Sequence, residues 1–181
     1  RAKDRAKRIH CQNNLKQIGL GLTMYTQDND KYPGHHLQSG MIMWPGRLFE
    51  YVENEEVFFC SANQTFFRWE REAVQFRPFP FNLFPDSGFS YGYNDWGVEE
   101  FHDPHLGLGG WVGHPQHGEI NAGAVKAPAQ MIAIGDSRSD YTWDTAIDPT
   151  LDAGERPSKR HNDGSNIVFA DGHVEWNSQT N

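Results

Sequence analysis

Three groups of side chains in this chain have the types and spacing for chemistry. His161, Asp171 and His173 lie close together near the C-terminus, and Asp136 stands upstream of them. Imidazole nitrogens and carboxylate oxygens from a strand end and a turn could gather around one divalent ion. The competing reading is structural. Asp171 then occupies a turn, His173 faces outward, and the His161 ring bonds a backbone carbonyl, Asp171 or Asp136, fixing the approach to that turn. Buried polar groups usually satisfy one another, which favours the structural reading. The second group is His102-x2-His105 and His114-x2-His117. Zinc accepts such ligands, but glycine and proline saturate the segment and no H-E-x-x-H helix accompanies it, so a solvated loop is expected. The third group is acidic. Asp28-Asn29-Asp30 starts like a calcium loop, yet Pro33 and Ser39 stand where that loop needs glycine and glutamate, which excludes an EF-hand.

Nucleophilic catalysis finds little support. There is no Gly-x-Ser-x-Gly elbow, and Gly107-Leu108-Gly109-Gly110 lacks the Gly-Lys-Ser/Thr ending of a phosphate loop. A metal-dependent hydrolase built on the His and Asp groups lacks motif geometry, so no catalytic residue and no required cofactor are assigned. Two cysteines occur, Cys11 and Cys60. They are either two buried thiols behaving as small hydrophobes or a disulfide. A bond would constrain the unfolded chain by about 4 kcal/mol for a loop of about 50 residues.

The elements that must position these groups begin with a helix. Cys11, Leu15, Ile18, Leu22 and Tyr25 step by four, three, four and three residues, one face of a helix. Residues 1–8 are strong helix formers without a breaker, and the helix is expected to end near Asp28–Asp30, before Pro33-Gly34. Gly19 and Gly21 are poor helix formers, so close packing is expected there. A short helix follows over Pro45 to Tyr51, with Trp44 inward, and Val57-Phe58-Phe59 reads as β-like. Residues 66–89 are aromatic and rich in proline, which excludes a central strand, and their aromatics are expected to fold back on the head. Ser90–Asn94 and Gln130–Ile134 read as strands, and 101–123 as irregular chain. Ile167–Ala170 and Val174–Trp176 flank Asp171-Gly172, a dipeptide suited to a type I′ hairpin turn. A long helix, a short helix and then strands between large loops predict an α+β fold, with an antiparallel sheet packed on the helix.

The chain has 181 residues and a formal net charge of −8, which is the size of one domain. Its first eight residues carry five Lys/Arg and one acid, so the remainder carries −12. Such a head repels phosphate backbones and argues against nucleic acid as a partner. The sequence contains no apolar run near the ~20 residues that span a bilayer, so the fragment is expected to be soluble.

His161, nine intervening residues and Asp171-Gly172 resemble the C-terminal processing-associated motif of prepilin-type bacterial proteins. Cys11-Gln12-Asn13-Asn14-Leu15-Lys16-Gln17-Ile18-Gly19-Leu20-Gly21-Leu22, continuing to Tyr25, Asp28, Asp30, Tyr32 and Pro33, is similar to the head of the pilin helix in the same family. Ser90–Asn94 and Ile132–Asp136 also resemble family strands. The resemblance covers most of the framework and omits the loops.

The resemblance implies a single pilin-like head, with 1–28 as the C-terminal half of the pilin helix and 29–181 as the globular part. An apolar membrane helix would precede Arg1, with the basic cluster near anionic headgroups. The head would stand in the periplasm or outside the cell, anchored to the inner membrane. The implied function is structural, as a subunit of a type II secretion pseudopilus or type IV pilus-like filament. Its partners would be other pilin-like subunits, the secretion or pilus assembly machinery and the prepilin peptidase. Leu15, Ile18, Leu22 and Tyr25 would lock helix to sheet. The family often carries cysteine at both positions, which implies a Cys11–Cys60 disulfide in an oxidising compartment, although Ser61-Ala62 replaces the usual Pro-Ser after the second one. Major pseudopilins hold calcium in an acidic loop; no residue-by-residue match is visible here, so a structural calcium attaches only to acids such as Asp140, Asp144, Asp148 and Asp152. A second class is a membrane-anchored surface module whose loop residues Trp69, Trp96, Trp111 and Trp143 stack on polysaccharide or meet a protein.

Overall fold

A computed structural model describes residues 2–37, 42–63, 89–96, 106–116, 118–138, 145–147 and 156–179. The aromatic segment 64–88, His102, His105, His117, Trp69, Trp143, Asp140, Asp144, Asp148 and Asp152 lie outside the described residues.

Helix α1 spans Ala2–Asn29, and Asp30 in the left-handed region (φ 57°) ends it. Cys11, Leu15, Ile18 and Leu22 are fully buried, and Tyr25 is nearly so. The 4-3-4-3 spacing therefore delivers one sealed stripe. Helix α2 spans Trp44–Val52 with Pro45 in its first turn, where the missing N–H costs nothing. Gly21 lets the two helices approach, since a Cβ there would press on Val52.

Four strands, β1 (Tyr91–Tyr93), β2 (Ile132–Asp136), β3 (Gly164–Phe169) and β4 (Val174–Ser178), form one antiparallel sheet in sequence order. Helix α1 lies on this sheet, mainly against β3 and β4. The fold is α+β and consistent with a pilin-like architecture. Its core joins the α1 stripe to Trp44, Leu48, Val57, Phe58, Tyr91, Tyr93, Ile134 and Val168.

Three local expectations need correction. Val57-Phe58-Phe59 is not a strand; a 3-10 turn spans Glu55–Phe58. The Asn54 side chain accepts the Glu56 N–H, and the two acids of the first turn suit the positive end of that turn. The strand read at Gln130–Ile134 is shifted to Ile132–Asp136, because Gln130 and Met131 donate their N–H groups to the Ala127 carbonyl in a turn. The hairpin is present, but not as a type I′ turn. Gly172 alone has positive φ (88°), and its N–H donates to the Phe169 carbonyl across Ala170-Asp171. This is a three-residue loop in which only the last position needs glycine. Two consecutive positive φ values occur instead at Asn162 and Asp163, just before β3, residue types that tolerate that region.

Candidate functional site

The C-terminal segment from His161 to Trp176 meets α1 at two points. At the first, a disulfide joins Cys11 of α1 to Cys60, with 5.2 Å between the Cα atoms. The buried His161 ring sits under it, Nε2 3.4 Å from Cys60 Sγ and 3.6 Å from Asp136 Oδ1. Asp136, the last residue of β2, is itself fully buried, and its Oδ2 accepts the Asn166 N–H at 2.6 Å. The His161 carbonyl accepts the Trp176 indole N–H at 2.8 Å, and the Arg8 guanidinium lies 5.0 Å over that indole. His161 thus links the disulfide, the end of β2, β4 and, through Trp176, the early turns of α1.

The second grip is the hairpin tip. Gly172 rests on Gly19 of α1 so closely that a Cβ on Gly19 would collide with the Gly172 carbonyl. Thr23 Oγ1 meets the Gly19 and Asp171 carbonyls at 3.0 and 3.5 Å. Gly19 therefore sits where backbone meets backbone, the close approach expected of it. From Cys11 to Gly19 the helix climbs roughly 12 Å, and β3 runs between the two grips.

The residues weighed as one metal site are separated by this arrangement. His161 and Asp136 form a buried pair, while Asp171 and His173 form another, exposed pair at the hairpin tip with 2.5 Å between Asp171 Oδ1 and His173 Nδ1. Partial burial raises the Asp171 carboxyl, but the hydrogen bonds from His173 outweigh it and hold the pKa below its ordinary value. The four groups do not converge on one ion, because the turn that carries Asp171 is at the far end of β3 from His161.

A different cluster does converge, and nothing in the sequence reading singled it out. His35 Nδ1 lies 2.9 Å from His36 Nδ1 and 3.3 Å from Asp95 Oδ2. His35 Nε2 lies 3.1 Å from the Thr145 carbonyl and 3.1 Å from its hydroxyl. The ring stacks near Tyr93, which stacks in turn on Trp44, while His36 meets Trp111 and Trp111 meets His114 edge-on. Burial lowers the His35 pKa to about 4 and, aided by His35, that of His36 to about 3. The only sequence signal was the vicinal histidine pair after Pro33-Gly34. Asp95 lies too far along the chain for spacing to connect it.

Arg47 of α2 was likewise unforeseen. Although nearly buried, it donates to Tyr25 Oη at 2.7 Å and pairs with Glu119, which Lys31 also meets at 3.1 Å. This network ties α1 to α2 and to the segment after Trp111. Trp111, weighed earlier as a ligand-stacking side chain, is half-buried against the histidines.

Residues 1–69 match a family model described as a protein of unknown function (DUF1559). That stretch holds α1, Cys11, Cys60 and the His35-His36 pair. No curated protein and no solved structure matches the chain. Among the described residues, no helix is long and apolar enough to cross a membrane.

Proposed function

We propose that this chain is the head of a pilin-like subunit, of a type II secretion pseudopilus or type IV pilus-like filament, and that it works by assembly rather than catalysis. One observation carries the reading. Opposite its sealed stripe, α1 leaves Ile9, Leu20 and Met24 exposed at 44%, 61% and 41%. At 100° per residue these three lie within about 60° of one another, on the face turned away from the sheet. They are three of the four large apolar side chains exposed among the described residues. A neighbouring subunit's helix would cover that face, and an apolar helix ahead of Arg1 would anchor each subunit in the inner membrane with its head in the periplasm or beyond. The two grips on α1 support the mechanism, because a helix that transmits assembly forces must not peel from its sheet.

Expression of the whole gene product in its own membrane, with Leu20→Cys introduced, tests this. Oxidation is expected to give disulfide-linked dimers through the outer helix face, and Leu20→Glu is expected to abolish higher assemblies seen by sedimentation. Strictly monomeric behaviour in both, with melting raised by a glycan, would replace this reading with the surface binding module.

A further inference from the structure

We propose that His35 Nδ1, His36 Nδ1 and Asp95 Oδ2 hold a divalent transition-metal ion of the zinc class, a site that does not depend on the filament reading. The three ligand atoms lie within 4.8 Å of one another. A zinc-type ion sits about 2.0–2.1 Å from such atoms. At that distance the 2.9 Å nitrogen pair subtends about 90° and the 3.3 Å nitrogen–oxygen pair about 110° at the ion. Both angles fall within tetrahedral to octahedral coordination.

The proton positions point the same way. Thr145 offers a carbonyl that accepts and a hydroxyl that can do either, and with its proton on Nε2, donating to that carbonyl, His35 leaves Nδ1 free as a ligand. His35 Nδ1 is then a bare lone pair facing a carboxylate oxygen at 3.3 Å. A proton on His36 Nδ1 would relieve the contact between the two rings and leave that second contact repulsive. A cation between the three atoms relieves both. Metal-bound imidazoles commonly donate their other N–H to a backbone carbonyl, as His35 does here.

The surroundings are built rather than accidental. His36 is pinned by backbone bridges to Ile42 and Trp111. The His35 carbonyl accepts N–H groups from Met43 and Trp44 at the start of α2. Asp95 lies two residues beyond the end of β1, and its 24% exposure leaves a solvent-facing side where further coordination positions can take water. Imidazole with carboxylate suits zinc, copper or nickel better than calcium.

The 181-residue chain, stripped with EDTA and dialysed, is titrated with Zn²⁺ by calorimetry and with Co²⁺ by visible absorption. One ion per chain is expected, with d–d bands for cobalt. His36→Ala and Asp95→Asn are each expected to weaken binding at least tenfold while keeping the far-ultraviolet circular dichroism of the parent, and His173→Ala to leave it unchanged. Should one variant fail to fold, the other decides. No binding heat and no cobalt spectrum overturns the proposal, as does undiminished affinity in a folded His36→Ala or Asp95→Asn.

Discussion

Replacing Gly19 by alanine sets two physical effects against each other. Alanine is the better helix former by about 1 kcal/mol, so α1 taken alone predicts stabilisation. In the folded head a Cβ at this position would collide with the Gly172 carbonyl oxygen and stand 3.1 Å from Val168 Cγ1 and 3.3 Å from the Gly172 carbonyl carbon. Two of those atoms are backbone in a tight turn and cannot swing aside as a flexible side chain would. Overpacking of this kind costs roughly 1–3 kcal/mol. Set against the propensity gain, it leaves a net loss of up to about 2 kcal/mol and, for a domain of this size, a melting temperature lower by up to about 8 °C. Urea unfolding followed by circular dichroism, with the disulfide intact, measures it. Gly123→Ala is the control, since nothing lies within 4 Å of a Cβ there and its effect should be near zero. A Gly19→Ala protein more stable than the parent would refute the helix–hairpin contact.

The remaining predictions address the other supports of the head. Reducing the Cys11–Cys60 bond should lower stability by up to about 4 kcal/mol; identical urea midpoints with and without reductant would count against that linkage. Leu15→Ala should cost about 2–5 kcal/mol, whereas Leu20→Ala on the opposite face should stay within about 0.5 kcal/mol; equal losses would mean the helix faces are wrongly assigned. Tyr93 Oη is buried with no hydrogen-bond partner among the described residues, so Tyr93→Phe should be neutral or stabilising, and a loss above about 1 kcal/mol would show a hidden partner. Burial, helped by Asp136, raises the Tyr91 pKa well above its ordinary value. The unfolded phenol ionises near pH 10 while the folded one resists. Stability is therefore fully present below about pH 10 and falls as pH climbs from there toward the folded pKa. Tyr91→Phe should flatten that alkaline fall, and an unchanged slope would assign it to other groups.

The α1 stripe, the hairpin and the α+β class were legible because each is a local pattern. A 3.6-residue period reads out at Cys11, Leu15, Ile18, Leu22 and Tyr25, and Asp171-Gly172 between two apolar runs reads out as a bend. The bend's type was not legible, because Asp-Gly fits both a two-residue and a three-residue loop. Strand pairing at Val168 and Val174 chose the longer one. Three of the four candidate metal ligands, His161, Asp171 and His173, share sequence proximity, but β3 places His161 and Asp171 at opposite ends of a strand.

What the sequence determined by itself is therefore the set of periodic and turn-forming segments, since these depend on neighbours three or four residues away. Tertiary structure alone decided which side chains meet. His35 and His36 face Asp95 only because β1 ends beside the segment that leaves α1. Gly19 is necessary only because Gly172, far away in the chain, lands on it. Contacts of that separation follow from how helix and sheet pack, and packing is settled by the shapes of both surfaces together.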